Sequence, residues 1–80
     1  MEKSRKLKVL PKTDIRVKFG NRVREIRMKN YNFIGEAADE AGISESYLGM
    51  IERGERNISL DKIDDLAKAL GVKPKDLFDF

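Results

Sequence analysis

Residues 34–51 read IGEAADEAGISESYLGMI, and no other stretch constrains the fold of this chain as tightly. Two short runs with helical spacing flank Gly42, and Ser44 stands ready to cap the second run. Two helices that meet at a steep angle need a small residue where their backbones touch. They also need a turn residue that tolerates positive φ. Ala38 and Gly42, four residues apart, meet the two demands. Ala37, Ala41, Ile43, Leu48 and Ile51 then fall on the inward side of both helices. The spacing predicts a helix-turn-helix unit, and with it a helix offered to DNA.

The rest of the chain narrows the alternatives. Eighty residues make one small domain, and the 39% charged and 40% hydrophobic content is that of an ordinary soluble protein. No apolar run approaches the ~20 residues that span a bilayer, and there is no signal-peptide core. A cytoplasmic protein is the expectation. The chain has no cysteine and no histidine, so it lacks the thiolate and imidazole groups that serve most metal sites and general bases. No enzyme, cofactor, metal or small-molecule substrate is expected. Residues 1–30 carry eleven Lys/Arg against three acids, a charge of +8, whereas residues 31–80 carry six against eleven, a charge of −5. A basic arm facing phosphate explains that asymmetry, and so does a solubilising tail.

Read along its length, the sequence predicts a flexible, disordered basic arm over residues 1–13, with residues 6–10 able to pair as a short strand, and a helical domain over residues 14–80. Thr13 or Asp14 caps a first helix running to about residue 29. Ile15, Phe19, Val23 and Ile26 repeat there at helical spacing, while Arg16, Arg22 and Arg24 face elsewhere. Gly20 weakens that helix by about 1 kcal/mol relative to Ala, which implies close packing or a bend. Asn30, Tyr31 and Asn32 form a turn. Further helices are expected over residues 33–41, 45–53, 60–70 and 75–78. Gly54 ends the third, Ser59 caps the fourth, Gly71 stops it, and Pro74 starts the fifth. Leu60, Ile63, Leu66, Ala67 and Leu70 form the apolar stripe of the fourth helix. The expected fold is an all-α, five-helix domain.

The segment FGNRVREIR…EAADEAGISESYLGMIERGERNISLDKIDDLAKALGVKPKDLF resembles the phage repressor and Cro-like (XRE-type) family of helix-turn-helix regulators. The resemblance spans about residues 15–78. It rests on the Ala38/Gly42 pair, Ser44-x-x-Tyr47-Leu48, Ile51-Glu52-Arg53-Gly54 and Ala67-x-x-Leu70-Gly71-Val72. The chain length and the run ERGERNISL are similar to the small controller proteins of restriction–modification systems. The resemblance implies a repressor-like homodimer that sets the third helix of each subunit in the major groove of double-stranded DNA. Its half-sites would lie about 10 bp apart on a pseudo-palindrome.

Carried onto this chain, the family pattern places Glu45, Ser46, Gly49 and Met50 on the exposed side of the third helix, facing the bases. Glu45 can accept from a cytosine amino group and Met50 can touch a thymine methyl. Equally, Glu45 is an acid favoured at a helix N-terminus, Met50 a half-buried side chain and Ser44 a cap. Tyr47 reaches a phosphate or covers the edge of the core. Arg53, Arg56 and Asn57 sit where relatives approach the DNA backbone, or else form a solvated loop. Arg22 and Arg24 are weaker phosphate candidates. Arg27 and Glu52 match a buried ion pair that the family places between its first and third helices.

The chain departs from the family at Phe33 and Ile34, where relatives carry a Ser or Asn cap followed by Gln. Asn32 is a substitute for the cap. Either one phosphate contact is lost, or this surface meets something apolar. Leu77, Phe78 and Phe80 either close the core or contribute to a self-complementary patch. Two functional readings follow: a sequence-specific regulator, or a protein-interaction module built on the same fold.

Overall fold

The computed structural model describes residues 13–80; residues 1–12 of the expected 1–13 arm, with the short strand, lie outside that range, and Thr13 belongs to the folded domain as the cap of its first helix. Four α-helices follow one another: α1 (Asp14–Asn30), α2 (Ile34–Ala41), α3 (Glu45–Glu52) and α4 (Leu60–Leu70). A 3-10 helix, Pro74–Phe78, closes the chain. The expected fifth α-helix is therefore a 3-10 turn. Five residues are too few for a run of i→i−4 bonds, and the segment is tied instead by an i→i−3 bond from Asp76 N–H to the Lys73 carbonyl, 2.9 Å. No strand occurs among the described residues.

Caps set the helix starts. The hydroxyls of Thr13, Ser44 and Ser59 accept from the backbone N–H of Arg16, Tyr47 and Lys62, at 3.3, 3.0 and 3.1 Å. Each satisfies one of the donors that a helix N-terminus leaves open. α2 starts differently. Phe33, not Asn32, occupies its cap position, and with no acceptor on the phenyl ring the only reciprocal side-chain bond comes from the Glu36 carboxylate, which accepts from Phe33 N–H at 3.2 Å.

The turn between α2 and α3 is the one the sequence demanded. Gly42 has φ +73°, and Ile43 N–H donates to the Ala38 carbonyl at 3.0 Å, a left-handed C-terminal cap. Ala37, Ala38 and Ala41 of α2 are buried against Leu48 and Ile51 of α3, in one core with Phe19, Val23 and Ile26 of α1, Leu66, Ala67 and Leu70 of α4, and Leu77. Leu77 is wholly buried and so belongs to the core rather than to a surface patch. Two expected stripe residues do not reach it. Ile15 is exposed and Leu60 is 83% exposed, so the buried stripes begin at Phe19 and at Leu66, with Ile63 only half-buried against the core.

α1 crosses α3 at Gly20. A Cβ there would come 2.4 Å from the Ile51 carbonyl oxygen and 2.7 Å from that of Glu52, so only a residue without a side chain lets the two backbones approach. Close packing, rather than a bend, is the reason for this glycine. Arg22, expected to be solvated, instead ties α1 to the 3-10 turn. Its Nε donates to the Asp76 carbonyl at 2.8 Å, and its guanidinium also pairs with Glu25 at 3.0 Å. Tyr31 does the same for α4, its hydroxyl donating to the Ala69 carbonyl at 2.6 Å.

Candidate nucleic-acid interface

α3 is an eight-residue helix with two distinct sides. Leu48, Ile51 and Glu52 point inward and are buried. Glu52 meets Arg27 of α1 in a two-pronged bridge, with Nε to Oε2 at 2.9 Å and Nη2 to Oε1 at 2.7 Å. The two side chains are 12% and 6% exposed, so the pair is an internal clamp between α1 and α3. The hydrogen bond to Glu52 holds the Arg27 guanidinium above its ordinary pKa; burial pulls the other way, and the Glu52 charge adds a smaller push upward. This bidentate geometry fixes the rotation of α3 about its own axis, and thereby which residues face out.

Glu45 and Ser46 are exposed, and Met50 is half-exposed. With Ile34, Gly49 and Arg53 they line one shallow surface depression. Gly49 lies at its floor and is buried, which corrects the expectation that it stands exposed beside Ser46: with no side chain, it is covered by its neighbours. The Glu45 carboxylate reaches toward the first turn of α2, where a Cβ on Gly35 would lie 3.4 Å from Oε1. Glu45 therefore spans the gap between the two helices of the unit.

The remaining candidates separate into two places. Tyr47 is half-buried against the core, and the Arg56 guanidinium stacks over its ring at 5.1 Å from the centroid. Arg53 Nε pairs with Glu55 Oε2 at 3.2 Å, and its side chain turns back along α3 toward Gly49. Asn57 is exposed but lines a different, apolar depression with Ile15, Arg16, Phe19, Ile58, Ile63 and Phe78. The structure thus brings Glu45, Ser46, Gly49, Met50 and Arg53 together, keeps Tyr47 with Arg56, and leaves Asn57 outside both groups. The sequence reading treated Ile34 only as a departure from a pattern, whereas Ile34 lines this surface and Gly35 lies beside its Glu45. Their signal was the loss of a polar residue together with a glycine at the start of a helix.

Near the apolar depression, Phe78 stacks on Phe19 at 5.0 Å and on Phe80 at 6.3 Å. Phe80 is 57% exposed, and Ile15 and Leu60 add further apolar surface. Among the described residues, no group of three or more acids could hold a metal ion, and no helix is long and apolar enough to cross a membrane.

Comparison with known proteins agrees with this geometry. Residues 23–77 match the helix-turn-helix family. The control protein C.BamHI of Bacillus amyloliquefaciens is 50% identical over 68 residues, 84% of each chain. The crystal structure of the restriction–modification controller protein C.AhdI from Aeromonas hydrophila superposes with a TM-score of 0.74 at 45% identity, over 78% of this chain and 90% of that one. The structure of SinR, a master regulator of biofilm formation, in complex with DNA superposes with a TM-score of 0.70 at 31% identity, over 76% of this chain and 98% of that one. The chain belongs to the XRE-type helix-turn-helix family of DNA-binding transcriptional regulators, which includes controller proteins of restriction–modification systems.

Proposed function

We propose that this chain is a sequence-specific regulator that binds a pseudo-palindromic operator as a homodimer, with α3 of each subunit in the major groove. The observation that carries the reading is the division of α3 itself. Its inner side is locked by Leu48, Ile51 and the Arg27–Glu52 clamp, while its outer side holds Glu45, Ser46, Met50 and Arg53 at the surface. A helix fixed so firmly on one side can present the other in a constant register to base edges. In this reading Glu45, Ser46 and Met50 face the bases, with the buried Gly49 at the floor between them. Tyr47, Arg56 and Asn57 meet phosphate, where they set register without reading sequence. The apolar surface around Phe78, Phe80 and Ile15 is the dimer contact, since a second copy would cover side chains that the monomer leaves in water. Relatives that are named as controllers, and one solved in complex with DNA, support the same reading.

The test is selection from a random double-stranded DNA pool at about 150 mM salt, close to physiological ionic strength. Enrichment of a two-fold symmetric motif with half-sites about 10 bp apart is the expected result. Failure of a folded protein to enrich any motif, with early elution from heparin, would favour the protein-interaction module instead. The 70% exposed Phe33 at the start of α2 is the observation on that side.

A further inference from the structure

At Gly49 the outer side of α3 has no side chain, and two neighbours border the gap. A Cβ built there would lie 3.1 Å from Arg53 Nη1 and 3.9 Å from Ile34 Cδ1. Arg53 follows Gly49 by four residues, one helical turn. Arg53 is the C-cap residue just past α3, and its side chain runs back so that the guanidinium lies over position 49. Glu55 holds Nε from the far side at 3.2 Å, which leaves the Nη1 end of the fork over the notch. Ile34 and Met50, both half-buried, give the same depression its apolar lining.

We infer that this notch reads a guanine next to a thymine, with Arg53 donating to guanine O6 and N7 and with Ile34 and Met50 receiving the thymine C5-methyl. The inference rests on the proposed docking of α3 in the major groove and assigns Arg53 to the bases, where the family pattern had suggested phosphate. Three features favour the bases. A guanidinium fork matches the major-groove edge of guanine better than that of any other base. The thymine methyl is the apolar group on a base edge that rewards an aliphatic wall. Ile34, whose side chain has no donor for a phosphate oxygen, borders the same position 49 as that fork. A methyl at position 49 would make the guanidinium give way by a few tenths of an ångström, so the glycine lets the fork lie closest to α3 and is part of the reading device.

The test uses the duplex enriched by selection, in three forms: unmodified, with 7-deazaguanine at single guanines, and with deoxyuridine at single thymines. Binding is measured for the full chain, for Arg53→Ala and for Gly49→Ala, with circular dichroism to show that each variant is folded. The expected result is one guanine per half-site whose 7-deaza form weakens wild-type binding but not that of Arg53→Ala. Replacing that guanine by another base should cost the wild type roughly 5- to 140-fold, the range for one bidentate contact. Deoxyuridine at the adjacent thymine should cost roughly 4-fold, the worth of one buried methyl. Gly49→Ala should lower the preference for that guanine while remaining folded. If Arg53→Ala weakens every duplex alike and lowers the salt slope by about one, Arg53 is a phosphate contact and the inference is overturned. If deoxyuridine has no effect at any thymine, the apolar wall reads nothing and the thymine half is overturned. If the wild type enriches no duplex at all, the proposed DNA-binding function falls together with this inference, an outcome distinct from the other two.

Discussion

Gly20 and Gly49 both stand inside α-helices, yet a methyl group added to each would meet different surroundings. At Gly20 it would strike two backbone carbonyl oxygens of α3, 2.4 and 2.7 Å away. At Gly49 it would meet the tip of the Arg53 side chain at 3.1 Å, a group that can swing aside. One contact is made of backbone, which cannot yield without moving a whole helix; the other is made of rotatable side chain. The two glycines bear on opposite sides of α3. The difference shows that this helix keeps its fold-defining contacts and its candidate reading contacts apart, so that one set can be altered without the other.

The largest effect expected from breaking the inner side is at the buried clamp. Arg27→Ala or Glu52→Ala leaves one charge buried without its partner and should cost about 3–5 kcal/mol in denaturant unfolding. A loss below about 1 kcal/mol, the size of a surface pair, would mean that the clamp does not hold α3. The pH dependence follows from the raised Arg27 pKa. A group whose pKa is higher folded than unfolded contributes fully below its unfolded value, and the contribution disappears as pH rises through the folded value. For an arginine that window lies above roughly pH 12. The stability difference between wild type and Arg27→Ala should therefore stay constant from about pH 7 to 10, as measured by urea midpoints at each pH.

Gly20→Ala comes next. Helix propensity alone would favour the alanine by about 1 kcal/mol, but overpacking against backbone typically costs 1–3 kcal/mol or more. Net destabilisation in a thermal melt is expected, and a rise in Tm would show that α1 and α3 are less closely apposed than the Gly20 contact requires. Tyr31→Phe, which removes the hydroxyl that donates to Ala69, should cost about 1 kcal/mol. The outer side should respond in the opposite sense. Gly49→Ala should stabilise the domain by up to ~1 kcal/mol while reducing its discrimination among DNA sequences. If Gly49→Ala destabilises as Gly20→Ala does, the two sides of α3 are not independent.

Much of this organisation could be read from residue types. Gly42 and Ala38 specify the turn, Ser44 and Ser59 the caps, and Gly20 the close approach of two helices. What could not be read were contacts that depend on where distant elements come to rest. Arg22 reaches the Asp76 carbonyl across 54 positions of sequence, and helical periodicity, which shows only that Arg22 avoids the core stripe, carries no sign of it. Periodicity also reports which side of a helix is apolar but not where its neighbour ends, so Ile15 and Leu60 fit their stripes and still remain in water. For the candidate site, spacing grouped Glu45, Ser46, Gly49 and Met50 on one side of α3. The direction of the Arg53 side chain depends on its rotamer and on the Glu55 ion pair, neither of which spacing encodes. The bidentate form of the Arg27–Glu52 clamp is likewise a property of three-dimensional placement.

The most direct test of the division of α3 is an NMR titration of isotope-labelled protein with the selected duplex. The account predicts that amide shift changes concentrate at Gly35, Glu45, Ser46, Gly49, Met50 and Arg53, and at Arg56. Amides of the inward residues Leu48 and Ile51 should change little, and those of Leu66, Leu70 and Leu77 least. Changes centred on α4 and the 3-10 turn, with the α3 amides undisturbed, would contradict it.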